Sequence, residues 1–321
     1  MFDAWIGNRS GIHRLRGGTL ELCGLEAEHV TALHADADVV LAGSYGGGLF
    51  RSEDGGESWS RVDAGLTASV FRCLAPEPGG ALLAGTEPAR IFRSIDGGAS
   101  WRELDGITGI DGHERWFLPY SPRAGAVRNV YPTPGRLLAS VEVGGLLTSD
   151  DGGATWTCTP VIADEDIHFI TGHPDDPDLL YAALGSASVT APPGGERLAG
   201  VARSRDGGAS WEKVENDYTR AVIVPPARPD LVLAGPALHV GEGGRIVVSA
   251  DGGDTWEPAS DGVETPMPDM VELFVPAPDG SVWAICSGGR LLRATPGDWA
   301  WESALPPGAG AQARSLAFVA D

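Results

Sequence analysis

The sequence predicts an all-β fold, a seven-bladed β-propeller of four-stranded antiparallel blades, on three observations. The first is composition. With 46 Gly and 24 Pro in 321 residues the chain is punctuated too often for a helical bundle or a doubly wound sheet, and at 42% hydrophobic it is too apolar for disorder. The second is a repeat. S-x-D-G-G-x-[ST]-W occurs at Ser52–Trp59, Ser94–Trp101, Ser149–Trp156, Ser204–Trp211 and Ser249–Trp256, and a worn copy, Ala294–Trp301, keeps Gly297 and the closing Trp. Successive copies start 42, 55, 55, 45 and 45 residues apart, as one supersecondary unit with loop insertions would. The third lies at the chain ends, where an incomplete unit at each terminus matches what the other lacks.

Each unit reads as four strands, A to D. Around the second copy these are Val70–Ala75, Ala81–Thr86, Arg90–Ser94 and Ser100–Leu104. Turns rich in Pro, Gly and Asp join A to B, and the D-G-G turn joins C to D, where Gly takes positive φ and Asp bonds the turn's amides. At the N-terminus Trp5–Asn8, Ile12–Leu15 and Thr19–Cys23 read as B, C and D without an A; at the C-terminus Arg314–Val319 reads as an A alone. Pairing the two completes a seventh blade and removes the open edges. The expectation is one propeller domain over 1–321, with insertions at 105–123 and 185–199 on the face opposite the D-G-G turns.

Charge narrows the partners. A formal charge of −21 repels nucleic-acid backbones and anionic membranes. No apolar leader or 18-residue apolar run is present, so a cytoplasmic protein is expected. Cys23, Cys73, Cys158 and Cys286 form no C-x-x-C pair and sit beside apolar runs, which predicts reduced thiols.

The repeated S-x-D-G-G-x-[ST]-W residues resemble the Asp-box, or BNR-repeat, propellers, a group that includes sialidases, sortilin-type receptors and a photosystem assembly factor. The resemblance spans essentially the whole chain. It implies the fold; it implies no single activity, because that motif is shared by proteins of unrelated function. Asp54, Asp96, Asp151, Asp206 and Asp251 occupy the same turn of successive blades, spread around the rim instead of gathered, so they read as turn caps. The acidic turn at Asp175, Asp176 and Asp178 reads as a solvated turn on that face.

The chemistry is expected at the other face, over the start of each A strand. Aligning the blades on Leu33, Leu74, Val130, Ile170, Val222, Phe274 and Ala317 and stepping back two residues gives Thr31, Arg72, Arg128, His168, Arg220, Glu272 and Ser315. Three Arg, a His and a Glu in otherwise apolar strands need pairing or water. They form either a salt-bridged plug or a pocket in which Arg grips a carboxylate. The ends of the B strands add Arg9, Tyr45, Glu87 and Glu142, and Asp166 and Tyr218 precede His168 and Arg220 on the same strand faces. The 105–123 insertion carries His113, Glu114, Arg115, Trp116, Phe117 and Tyr120 and reads equally as a lid or as packing.

These positions favour a propeller enzyme, a lyase, hydrolase or isomerase, acting as a monomer on a small anionic substrate. Arg72, Arg128, Arg220, Tyr45, Glu87 and Trp116 would bind it. His168, Asp166, Glu142 and Glu272 would handle protons. A divalent metal, if used, would be held by His168, Glu142, His29 and His113. The alternative is a non-catalytic interaction or assembly scaffold with a protein partner. A sialidase-like glycosidase ranks third: three Arg invite the comparison, but sialidases have six blades and an F-R-I-P-type segment that this chain lacks.

Overall fold

The computed structural model describes residues 2–118, 121, 125–162, 166–185, 198–309 and 312–320. Among these residues the strands form seven antiparallel sheets of four, one with an extra fifth strand, and the fold is a seven-bladed β-propeller. The chain divides into two compact units, 1–158 with 305–321, and 159–304.

The first unit holds four blades. In blade 1 the C-terminal strand Ser315–Ala320 pairs with Phe2–Asn8, setting Trp5 opposite Ala317 and Gly7 opposite Ser315, and Gly11–Arg16 and Thr19–Leu22 follow. The chain ends therefore close a blade as their sequences predict. Blade 2 runs Val30–Asp36, Val39–Ser44, Leu49–Ser52 and Ser60–Val62; blade 3 runs Val70–Pro76, Leu82–Glu87, Ile91–Ser94 and Arg102–Glu103; blade 4 runs Ala126–Thr133, Arg136–Glu142, Gly145–Ser149 and Thr157–Thr159. The second unit holds blade 5 (Ile167–His173, Asp176–Leu184, Gly200–Ser204, Glu212–Glu215), blade 6 (Tyr218–Ile223, Val232–His239, Val247–Ser249, Glu257–Pro258, with Glu242–Gly244 added) and blade 7 (Val271–Pro276, Val282–Cys286, Leu291–Ala294, Glu302–Ser303).

Burial grades across each blade. Second strands such as Leu82–Glu87 are buried along their whole length, since blades pack on both faces, whereas fourth strands are two to four residues long and largely exposed. The sequence predicts a longer fourth strand, Ser100–Leu104; only Arg102–Glu103 pairs, because Ser100 is consumed by the turn before it. Apolar clusters fill the spaces between blades: Leu41, Phe71, Phe92 and Trp101 between blades 2 and 3, and Ile223, Val271, Phe274 and Trp301 between blades 6 and 7. Gly43 and Gly85 permit this approach. A Cβ on Gly43 would fall 2.5 Å from the Cβ of Phe71, and one on Gly85 2.6 Å from a Val127 methyl.

The five D-G-G turns are built alike. In blade 3, Ser94 Oγ donates to Asp96 Oδ1 (2.8 Å) and accepts from Gly98 N (2.9 Å), while Ser100 donates its amide to Asp96 Oδ1 (2.9 Å) and its hydroxyl to Oδ2. These donors hold the carboxyls of Asp54, Asp96, Asp151, Asp206 and Asp251 down to about 2. Each Asp serves its own turn, as the capping reading expects. The worn copy folds without that network, on amides of Asp298 and Trp299 that donate to Thr295 O.

Two further joints link neighbouring blades. Trp59, Trp256 and Trp301 donate their indole N–H to the carbonyls of Cys23, Val214 and Ala259 in the preceding blade, at 2.7 to 2.8 Å. Arg51, Arg93 and Arg203, on third strands, donate to Gly97 O, Gly152 O and Gly252 O, the turn carbonyls of the following blade, at 2.9, 2.8 and 2.6 Å.

Candidate functional site

The positions reached by aligning the blades have a backbone property that alignment does not reveal. In six first strands the register shifts across that residue: between Val30 and Ala32, Phe71 and Cys73, Val127 and Asn129, Ile167 and Phe169, Thr219 and Val222, and Val271 and Leu273. Thr31, Arg72, Arg128, His168 and Glu272 are each the unpaired residue of a β-bulge, and Arg220 shares one with Ala221. A bulge re-aims its side chain relative to the ladder. The seventh position, Ser315, lies in an unbroken ladder and donates to Val30 O (3.3 Å); Thr31 donates to Phe71 O (2.6 Å). The neutral members stitch blades together, and the charged members form two groups, one in each unit.

In the first unit, Arg72 lies with its Nε 3.7 Å from Glu87 Oε2 and its Nη2 3.6 Å from Glu142 Oε2; Arg128 Nη1 reaches the same Glu142 oxygen at 3.4 Å. Glu87 and Glu142 are buried, at 5% and 6% exposure. The Arg72 guanidinium lies 5.5 Å from the centroid of the Tyr45 ring, a cation–π contact, and that ring is 40% exposed. Behind Tyr45, at 5.8 Å between ring centroids, is His29. Its Nε2 is buried without a hydrogen-bond partner, and burial, then Arg9, Arg314 and Arg72, lower its pKa. Tyr45, Arg72, Glu87, Arg128 and Glu142 thus come together, with His29 in cationic surroundings that disfavour a metal ion.

In the second unit the charged group is a continuous chain. Arg220 Nη1 donates to both Glu272 oxygens (2.8 and 2.9 Å), and its Nε donates to Tyr218 Oη at 2.7 Å. Tyr218 Oη lies 3.2 Å from His168 Nε2, and Asp166 Oδ1 is 3.6 Å from that nitrogen. Burial pushes the Tyr218 phenol up to about 12, so it stays protonated at neutral pH. His168 is 3% exposed, and a Cβ on Gly185 would fall 2.0 Å from its Nε2. The imidazole is covered, and its Nε2 is already engaged.

Trp116 and His113 join neither group. Trp116 is 8% exposed and packs with Ala89, Val127 and Val141, so its indole fills space between blades 3 and 4 and offers no face to a substrate. His113 lies on Trp116 at 4.8 Å between centroids, and burial, then Arg90, lower its pKa. The described part of the 105–123 insertion, with short helical turns at Ile107–Gly109 and His113–Arg115, packs onto its blade; Phe117 alone among its large apolar side chains there is exposed. Tyr120 lies outside the described residues, as do residues 186–197 of the other insertion. The cysteines are free; burial raises the Cys73 and Cys286 thiols to about 12, which leaves them without thiolate character. Arg314, read from the sequence only as the start of the closing strand, escaped the list of site residues because it precedes the aligned position, Ser315, by one residue; its signal is a lone Arg opening an apolar strand.

No protein-family model and no curated protein matches this chain. Solved structures do. YCF48 bound to a D1 peptide is similar at 19% identity and a TM-score of 0.64, over 91% of this chain and 89% of that one. YCF48 from Cyanidioschyzon merolae is similar at 18% and 0.64, over 92% and 91%. The GH74 xyloglucanase from Xanthomonas campestris gives 19% and 0.68, over 99% of this chain and 52% of that one, so this chain spans about half its length. At these identities the likeness defines a class by fold, the seven-bladed β-propellers, whose members here include an enzyme and a peptide-bound protein. Among the described residues no helix is long and apolar enough to cross a membrane.

Proposed function

We propose that this propeller is a non-catalytic recognition module that binds a carboxylate-bearing segment of a protein partner at Tyr45, Arg72 and Arg128. One observation carries the reading: the cation and aromatic groups of the first unit are partly exposed, while the one imidazole expected to handle a proton is sealed. Arg72 and Arg128 share Glu142 at 3.4 to 3.6 Å, longer than a charge-assisted hydrogen bond. An incoming carboxylate is held between the two guanidinium groups, and the Tyr45 face packs on the ligand's apolar part. The enzyme and glycosidase readings both need an acid or base facing the substrate. His168 is behind Tyr218 and Gly185, and Glu87 and Glu142 are buried beside Arg72. The fold neighbour that holds a D1 peptide supports the reading in kind, as a propeller of similar length that takes a peptide.

The test is calorimetric titration with acidic peptides, their amidated counterparts and small dicarboxylates. Peptide binding that weakens at least about tenfold in Arg128→Ala, on the order of 1.4 kcal/mol, is expected. Equal binding by Arg128→Ala, or turnover of a small anion by wild type and not by His168→Asn, would overturn it.

A further inference from the structure

In the second unit a trough of about 630 Å³ opens between the outer strands of blades 5 and 6. Its lining includes Val214, Glu215, Arg245, Trp256, Asp261 and Val263. The volume suits several side chains of an extended segment. Trp256 already donates its indole N–H to Val214 O, so the part of the ring that remains for a ligand is its face. Arg245 is committed as well, with one nitrogen on Glu215 at 2.8 Å and another on Asp217 at 2.7 Å. Its charge is more than matched within the trough.

The banks are acidic. Residues 254–264 carry Asp254, Glu257, Asp261 and Glu264 with no basic residue, and 212–217 carry Glu212, Glu215 and Asp217 against Lys213. Arg203 holds Glu212 and Asp254, while Glu257, Asp261 and Glu264 are exposed. A trough walled by Trp256, Val214 and Val263, with exposed Asp261 in its lining and acidic chain segments running through it, matches one ligand chemistry: a side chain with an apolar stem and a cationic head, repeated along a chain.

We infer that this trough docks an extended cationic segment of a partner protein, in which Lys or Arg alternates with apolar residues. A cationic stem lies along Trp256, where the ring face attracts the charge, and the head reaches Asp261. The alternate apolar residues seat against Val263 and Val214. This site is opposite in charge to the carboxylate site, belongs to the other unit, and stands without it.

The probe is a fluorescein-labelled peptide of alternating lysine and valine, followed by anisotropy at low and at physiological ionic strength. The expected result is saturable binding that weakens with salt, falls at least about tenfold in Asp261→Lys, and is unchanged in Glu26→Lys, a charge reversal of equal size at an exposed residue of the first unit. Trp256→Phe, which keeps a ring, weakens binding less than Trp256→Ala; should the alanine variant fail to fold, Val263→Ser, which adds no charge, supplies the apolar test and weakens binding. Equal losses in Asp261→Lys and Glu26→Lys would reduce the effect to net charge and overturn the site. Binding of a glutamate–valine peptide as tightly as the lysine–valine one would overturn the cationic assignment, and so would no binding at all.

Discussion

The two charged groups begin from the same backbone device, a bulge at the start of a first strand, and from the same residue types, yet they end in different states. In the second unit Arg220 meets Glu272 through two contacts of 2.8 and 2.9 Å and Tyr218 at 2.7 Å. In the first, Arg72 and Arg128 share buried Glu142 at 3.4 to 3.6 Å, with Glu87 3.7 Å from Arg72, beside a Tyr that is 40% exposed. The difference teaches that an Arg at a bulge is a position, and that its function depends on how completely its neighbours use it.

The harshest way to break the comparison is to remove the strand that completes the first unit. Deleting residues 314–321 strips the partner from Phe2–Asn8 and takes away the Ser315 bond to Val30 O. Insoluble protein, or a large fall in melting temperature, is expected; a soluble truncation that melts like wild type would count against closure by the chain ends. Next in size is Glu272→Ala. It leaves the Arg220 cation half-buried without its carboxylate and should cost about 3–5 kcal/mol in urea unfolding. Arg128→Ala should cost less, about 1–2 kcal/mol, because Arg72 still faces the buried Glu142. Similar losses for the two would erase the distinction.

The D-G-G turns give a third measure. Asp96→Ala removes the acceptor for the Ser100 amide and for two hydroxyls and should cost about 1–2 kcal/mol by denaturant titration, with carboxylate binding untouched. The same turns set the acid limit. Their Asp carboxyls fall from an ordinary 3.8 to about 2 in the fold. The stabilisation they give is therefore complete above 3.8 and is lost as pH falls toward 2. Melting temperature followed from pH 5 downward should drop most steeply across that window, and less steeply in Asp96→Asn. The smallest change expected is Tyr218→Phe, about 1 kcal/mol, since Arg220 keeps Glu272. Its main readout is the His168 ring, whose NMR chemical shifts should move once the phenol is gone.

The repeat made the fold legible. Five copies of one turn give the blade and its period, and the worn sixth copy with the closing pair Trp5–Asn8 and Arg314–Val319 gives the count, because strand pattern and turn chemistry are local properties. The site was legible in part. Alignment reached Arg72, Arg128, His168, Arg220 and Glu272, since equivalent positions recur at equal offsets, but a bulge leaves no mark in composition. Two features depended on neighbours distant in sequence. Trp116 reads as an exposed lid residue until Ala89 and Val141 are seen packed around it, and His168 reads as a base until Tyr218, 50 residues later, is seen on its Nε2. The glycines of the second strands are similarly silent, because what makes Gly43 necessary is Phe71 of the next blade.

The Arg-to-glycine joints have a consequence for how such a chain grows. Blade 3 carries both halves of the connection: its turn accepts Arg51 at Gly97 O, and its own Arg93 donates to Gly152 O. A tandem duplication of a blade therefore copies tenon and mortise together, so that donor and acceptor of this bond are both present at each new seam, whereas the apolar fit of neighbouring blades, such as Gly43 against Phe71, belongs to one seam alone.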